Sequence, residues 1–104
     1  MHGTADFVIV YGGGTAIGES QAYPGAEDTV KFWRLANGCG ALASGGSRDF
    51  TCDIGGEETD VSATSCDGGV DVALWKMNLV GHVPTFNEPT WPQAALTFLL
   101  SHHR

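Results

Sequence analysis

Two short stretches hold side chains whose types suit acid–base chemistry. His2-Gly3-Thr4-Ala5-Asp6 places a carboxylate in a small, Gly-containing turn, and Val80-Gly81-His82-Val83-Pro84 places an imidazole in another. Each turn sits beside an apolar run, so each side chain is carried at the end of an element. A carboxylate that fixes the tautomer of an imidazole, and an imidazole that moves a proton to and from a hydroxyl, are the acid and base of a hydrolase triad. In the chain order nucleophile, acid, histidine, Asp6 and His82 take the last two places. The nucleophile is then expected upstream of Asp6, where five residues stand. No Gly-x-Ser-x-Gly turn occurs: Ser20, Ser44, Ser47, Ser62, Ser65 and Ser101 all lack that frame.

Periodicity gives the elements that must carry these turns. Phe7-Val8-Ile9-Val10-Tyr11 is an apolar, β-branched run closed by Gly12-Gly13-Gly14, the pattern of a buried strand. Thr15 to Gly25 reads as a loop with a turn at Pro24-Gly25. Ala26 to Ala36 reads as a helix. Glu27 and Asp28 occupy its first turn, Val30, Trp33 and Ala36 form a stripe widened by Phe32 and Leu35, and Gly38 after Asn37 stops it. Gly40 to Ser47 reads as a loop. Arg48 to Ile54 and Glu58 to Ser65 read as a hairpin turning at Gly55-Gly56, and Asp67-Gly68-Gly69 as a further turn.

Val70 to Met77 is apolar on both faces, with Val70, Val72 and Leu74 on one and Ala73, Trp75 and Met77 on the other. A strand covered on both sides, as in an α/β sheet, has this pattern. Asn78 to Pro89 is the loop carrying His82. A last helix opens at Pro89 or Thr90, buries Ala95, Phe98 and Leu99, and ends in His102-His103-Arg104, where cations suit the dipole. The expected fold is α/β, in the order strand, helix, hairpin, strand, helix, as one domain over 1–104. A unit of this size leaves a sheet edge and part of one face bare, so a partner copy or more chain is expected to cover them.

The bulk properties narrow the partners. Twelve Asp and Glu against five Lys and Arg give a formal charge of −7 in 104 residues. Lys31, Arg34, Arg48, Lys76 and Arg104 are scattered, so nucleic acid and anionic membrane surfaces are not expected partners. No run reaches the roughly 20 apolar residues of a membrane span. Met1 leads into His2-Gly3-Thr4 without the basic and apolar regions of an export signal, which leaves open a secreted parent protein.

Three cysteines, Cys39, Cys52 and Cys66, form no Cys-x-x-Cys pair. They are read either as three reduced thiols or as one disulfide joining Cys39 to Cys52 or to Cys66. Gly12 and Gly14 match the start of a dinucleotide-binding G-x-G-x-x-G, but Ile17 takes the third glycine's place and Pro24 spoils the following helix. His2, Asp6 and His82 are ligand types that suit zinc, without ligand spacing to support it. No cofactor or metal is expected.

Taken together, His2-Gly3-Thr4-Ala5-Asp6 with Tyr11-Gly12-Gly13 resembles the acid-bearing segment of α/β-hydrolases, in particular those of the polyhydroxybutyrate depolymerase and feruloyl esterase type. Thr29-Val30-Lys31-Phe32-Trp33 through Asn37-Gly38-Cys39 resembles that group's helix ending in an Asn-Gly-Cys turn. Val72-Ala73-Leu74-Trp75 is similar to its last strand, and Gly81-His82 to its histidine loop. Leu79 stands where a second glycine is frequent, and Val83 where an aromatic is frequent. The resemblance implies the C-terminal portion of an α/β-hydrolase fold, with Asp6 and His82 as the triad acid and histidine of a carboxylic ester hydrolase. It implies a small ester or polyester as substrate and a front half, with nucleophile and oxyanion hole, outside this chain. Met1 would then fall inside the strand leading to Asp6, as in a truncation or an internal start. The competing expectation is a catalytically inactive α/β domain that associates with itself.

Overall fold

A computed structural model describes residues 1–102. In chain order the elements are β1 (His2–Gly3), β2 (Gly13–Thr15), β3 (Ala22–Pro24), α1 (Ala26–Ala36), β4 (Ala43–Arg48), β5 (Thr59–Ser65), β6 (Asp71–Met77) and α2 (Thr90–Ser101). The fold is mixed α/β. One sheet has the order β1-β6-β5-β4, and β2 and β3 form a separate small hairpin. β1 runs parallel to β6, while β5 is antiparallel to both β6 and β4.

β6 is the hub of the larger sheet, as its two-faced apolar pattern predicts. It pairs with β5 over its whole length, from Thr59↔Met77 to Ser65↔Asp71. Alternate side chains leave by opposite faces. Lys76 reaches Glu27 of α1 at 3.5 Å, and the Trp75 ring meets Phe98 of α2 at 6.3 Å between centroids. The two helices therefore lie on opposite faces. No helix is long and apolar enough to cross a membrane among the described residues.

Both helices match their sequence signals. Gly38 has φ 66°, and the amide of Cys39 returns to the carbonyl of Arg34 at 2.9 Å, a C-terminal stop that needs a glycine. The chain then runs directly into a disulfide, Cys39–Cys66, with Cα atoms 4.1 Å apart. Of the two pairings left open by the sequence, the structure has this one. It ties the end of α1 to the end of β5. Cys52 is a free, exposed thiol rather than a buried one. At the other end of the chain, His102 Nε2 donates to Asp71 Oδ2 at 2.9 Å. The Phe98 carbonyl and the Asp71 carboxylate raise the pKa of His102. His103 and Arg104 lie outside the described residues.

Four expectations are corrected. Phe7 to Tyr11 is a series of turns, not a strand. The Asp6 carboxylate accepts the amides of Val8 and Ile9, both at 2.9 Å, which curls the chain before a ladder can form. Thr15 to Gly25 is not all loop, since Gly13–Thr15 pairs with Ala22–Pro24. The glycines therefore enter a hairpin and do not open a helix, which removes the structural context of a dinucleotide fingerprint.

The first strand of the central hairpin is Ala43–Arg48, within the expected loop, and not Arg48 to Ile54. Its pairing with β5 shifts between Ser44 and Ser47, around Gly46 at φ 86°; a glycine bulge lets so polar a segment stay in register. Residues 49–58 then leave the sheet. Phe50, 2% exposed, packs on Trp75 at 5.2 Å, and its amide donates to the buried Glu58 carboxylate at 3.1 Å.

The fourth correction concerns coverage. No residue of either helix is buried. In the expected stripes, Trp33 is 55% and Leu99 66% exposed.

Candidate functional site

The two motifs meet through their backbones before any side chain is considered. His2 and Gly3 lie beside Lys76 and Met77 in parallel register. Beyond the strands, Thr4 N–H donates to Met77 O at 2.8 Å and Ala5 N–H to Val80 O at 3.1 Å. Leu79 N–H donates to the Thr4 hydroxyl at 2.8 Å. Gly3 is needed for this approach, because a Cβ there would sit 2.2 Å from the Val80 carbonyl oxygen. Leu79 has φ 61°, a backbone region that disfavours an L side chain.

The interlocked turns bring Asp6 and His82 together, as the sequence predicts. His82 Nδ1 donates to Asp6 Oδ2 at 2.9 Å. Asp6 is 6% exposed and the His82 side chain 43%. Burial alone would raise the Asp6 pKa. The hydrogen bond from His82 and the amides of Ile9 and Val8 outweigh it, and hold the carboxyl at about 2. Asp6 is therefore ionised near neutral pH, and an ionised carboxylate only accepts. Neutral His82 must then carry its proton on Nδ1, which leaves the Nε2 lone pair directed away from the acid. The site opens on a shallow depression of about 310 Å³, whose walls include His2, Ile9, Pro84 and Phe86.

The histidine loop is held on its far side as well. Cys52 N–H donates to Thr85 O and Asn87 N–H to Phe50 O, both at 2.8 Å. Thr85 N–H donates to Asp53 at 2.8 Å, and the Asn87 amide donates to Asp49 at 2.6 Å. Residues 49–53 thus form a strap along 85–87, which fixes the loop at both ends. This strap is what the misplaced hairpin strand becomes. Within it, the Thr51 hydroxyl is buried without a hydrogen-bond partner among the described residues.

His2 also arrives at the site. Its Nε2 lies 3.2 Å from Asp6 Oδ2 and 2.7 Å from the Ile9 carbonyl. The three side chains weighed as metal ligands therefore converge, but the His82 ring donates to the carboxylate and the His2 ring to the Ile9 carbonyl, rather than both facing an open centre. Among the described residues no three His, Cys, Asp or Glu side chains are grouped to hold a metal ion. The serines Ser20, Ser44, Ser47, Ser62, Ser65 and Ser101 contribute nothing to the walls of the depression.

No family model, curated protein or solved structure matches this chain.

Proposed function

We propose that the chain is the acid-and-histidine segment of a carboxylic ester hydrolase, built like the C-terminal portion of an α/β-hydrolase of the polyhydroxybutyrate depolymerase or feruloyl esterase type. The observation that carries this reading is the hydrogen bond from His82 Nδ1 to the buried Asp6 carboxylate at 2.9 Å, which leaves Nε2 as a base beside an open depression. In this reading a hydroxyl nucleophile comes from polypeptide outside these 104 residues. His82 Nε2 takes its proton during attack on the ester carbonyl and returns it to the leaving alcohol. Asp6 keeps the imidazole in the required tautomer and stabilises the imidazolium. Alone, Asp6 and His82 supply general-base help to water, without nucleophile or oxyanion donors.

The test is hydrolysis of short p-nitrophenyl esters by the wild-type chain, by His82→Ala and by Cys52→Ser, the last removing background from the exposed thiol. A slow rate that survives Cys52→Ser and disappears in His82→Ala is expected. Equal rates in wild type and His82→Ala, or no rate in either, would remove catalysis by this chain from the account.

A second reading, a self-associating α/β domain without activity, is favoured by exposed apolar surface. Phe32 is 65%, Leu35 63%, Leu96 56% and Leu100 67% exposed, and among the described residues β1 has a neighbour on one side only. A contiguous apolar patch marks an interface, and each helix offers apolar side chains from which one could be built. Light scattering at rising concentration checks it, and a strict monomer throughout would dismiss it.

A further inference from the structure

We propose that His2 is a positioning residue for the Asp6–His82 pair, acting through the N–H that it donates to the Ile9 carbonyl. This assignment rests on the acid–base reading of that pair. A carbonyl oxygen accepts and cannot donate, so the Nε2 of His2, 2.7 Å from Ile9 O, carries the proton. The same nitrogen stands 3.2 Å from Asp6 Oδ2, at ion-pair distance, while its N–H is aligned on the carbonyl. Ile9 is then held twice: its amide reaches Asp6 Oδ1 at 2.9 Å, and its carbonyl is held by His2.

That double tie matters because little else holds the turn. Phe7, Val8, Ile9 and Val10 are 89%, 55%, 36% and 42% exposed, so apolar packing contributes little. Further ties are at its far end, where Val10 N–H donates to the Tyr23 hydroxyl at 2.8 Å, Gly13 N–H to Val10 O at 2.9 Å and Ala26 N–H to Tyr11 O at 2.8 Å. His2, by contrast, is anchored. It belongs to β1, in register with Lys76. Its ring stands edge-on to Tyr11 at 5.5 Å, and the Tyr11 hydroxyl donates to Glu27 of α1 at 3.2 Å. Rigidity thus passes from the sheet and α1 to His2, from His2 to the Ile9 peptide, and from that peptide to the carboxylate.

His2 donates to the Ile9 carbonyl and His82 to Oδ2, so the two rings do not compete for the carboxylate. Without the His2 N–H, the Ile9 peptide is free to turn and take its own amide away from Oδ1. The carboxylate then loses one of its three donors and, with it, the orientation that selects the Nδ1–H form of His82.

Nitrogen-15 spectra of the histidine rings in the full chain test this without turnover. In the wild type, His2 is expected with its proton on Nε2 and neutral His82 mainly with its proton on Nδ1. His2→Phe keeps a ring against Tyr11 and removes the donor. It should lower the ratio of Nδ1–H to Nε2–H forms in neutral His82 on the order of tenfold, the scale of one charge-assisted hydrogen bond. His2→Gln restores an N–H donor and should return the ratio to within about threefold of wild type.

A wild-type His2 protonated on Nδ1 and bare on Nε2 overturns the proposal, and that measurement needs no variant to fold. A His82 ratio unchanged or raised in a folded His2→Phe overturns it too. Absence of ester hydrolysis in every form would instead strike the functional reading and leave these spectra as they are.

Discussion

Removing the charge of Asp6 while keeping its shape gives the sharpest test of the site's electrostatics. In Asp6→Asn, the retained carbonyl oxygen still accepts from the amides of Val8 and Ile9. The new NH2 group, however, faces His82 Nδ1, which donates to the carboxylate in the wild type, and stands close to His2 Nε2. The Asp6 carboxyl lies at about 2 in the folded chain against an ordinary 3.8. Its folded pKa is depressed, so the unfolded chain binds the proton more readily. The stabilisation is present above the unfolded value and is lost as pH falls towards the folded one. At about 1.4 kcal/mol per pH unit, the difference amounts to about 2–3 kcal/mol near pH 6.

Urea unfolding of wild type and Asp6→Asn between pH 2 and pH 6 reads this directly, because other acids with depressed pKa values, Asp60 and Asp71, are common to both proteins and cancel. The wild type should be more stable by about 2–3 kcal/mol at the upper end, and the gap should close to below about 1 kcal/mol at pH 2. A gap that stays constant over this range would mean that the carboxylate is not held as an anion by His82 and the turn amides, and the acid–base account of the pair would fail with it.

Three further outcomes follow from the supports of the site. Replacing Cys39 and Cys66 together by serine opens a loop with a sequence separation of 27 and should lower unfolding free energy by about 3–4 kcal/mol on the loop-entropy scale; thiol titration of the unfolded, unreduced chain should find Cys52 alone. Gly3→Ala drives a methyl group against the Val80 carbonyl, 2.2 Å away, and should cost about 3 kcal/mol or more in urea unfolding, with loss of the His82–Asp6 ring signal. Leu79→Gly relieves the positive φ of 61° at the cost of a more flexible unfolded chain, for a net gain of up to about 1 kcal/mol, seen as a higher urea midpoint.

The parts of the fold legible in the sequence are those whose signals are local. α1 carries acids at its start and a glycine at its end, and its observed span, Ala26–Ala36, follows from them. β6 is marked by apolar residues on both faces. Two misreadings have a common cause, competition for the backbone. Phe7 to Tyr11 has strand composition, yet Asp6 takes two of its amides. Residues 49–53 have enough β-branched and aromatic character for a strand, yet the Cys52 amide and the Phe50 carbonyl are taken by 85–87 and the Phe50 amide by the Glu58 side chain, rather than by a ladder with β5. In their place the sheet uses Ala43–Arg48, whose Ser-Gly-Gly-Ser centre has no strand propensity of its own. Its pairing depends on β5 and on a bulge, neither of which periodicity reports. His2 was legible as a chemical group but not as a partner of Ile9, because the curl that presents the Ile9 carbonyl exists only once Asp6 has captured the turn.

The distribution of burial links these cases. Apart from Leu74, the buried side chains are not between the helices and the sheet. Among the described residues the buried hydrophobics are Phe50, Leu74, Met77 and Val80, and the buried polar groups are Asp6, Thr51, Glu58 and Thr59. All but Leu74 belong to the end of the sheet where β1 and β6 give way to the two site turns. Glu58 accepts from Phe50 N–H and from the Thr59 hydroxyl, and its carbonyl accepts from Asn78 N–H at 2.9 Å. The strap, the start of β5 and the histidine loop therefore share one hydrogen-bonded interior. Removing a partner from such an interior leaves donors unpaired at about 1–3 kcal/mol each, whereas the helix faces are solvated already and have less to lose. The order of the molecule is thus concentrated where Asp6 and His82 are held, and the apolar helix faces are surfaces that the same sequence leaves available for cover.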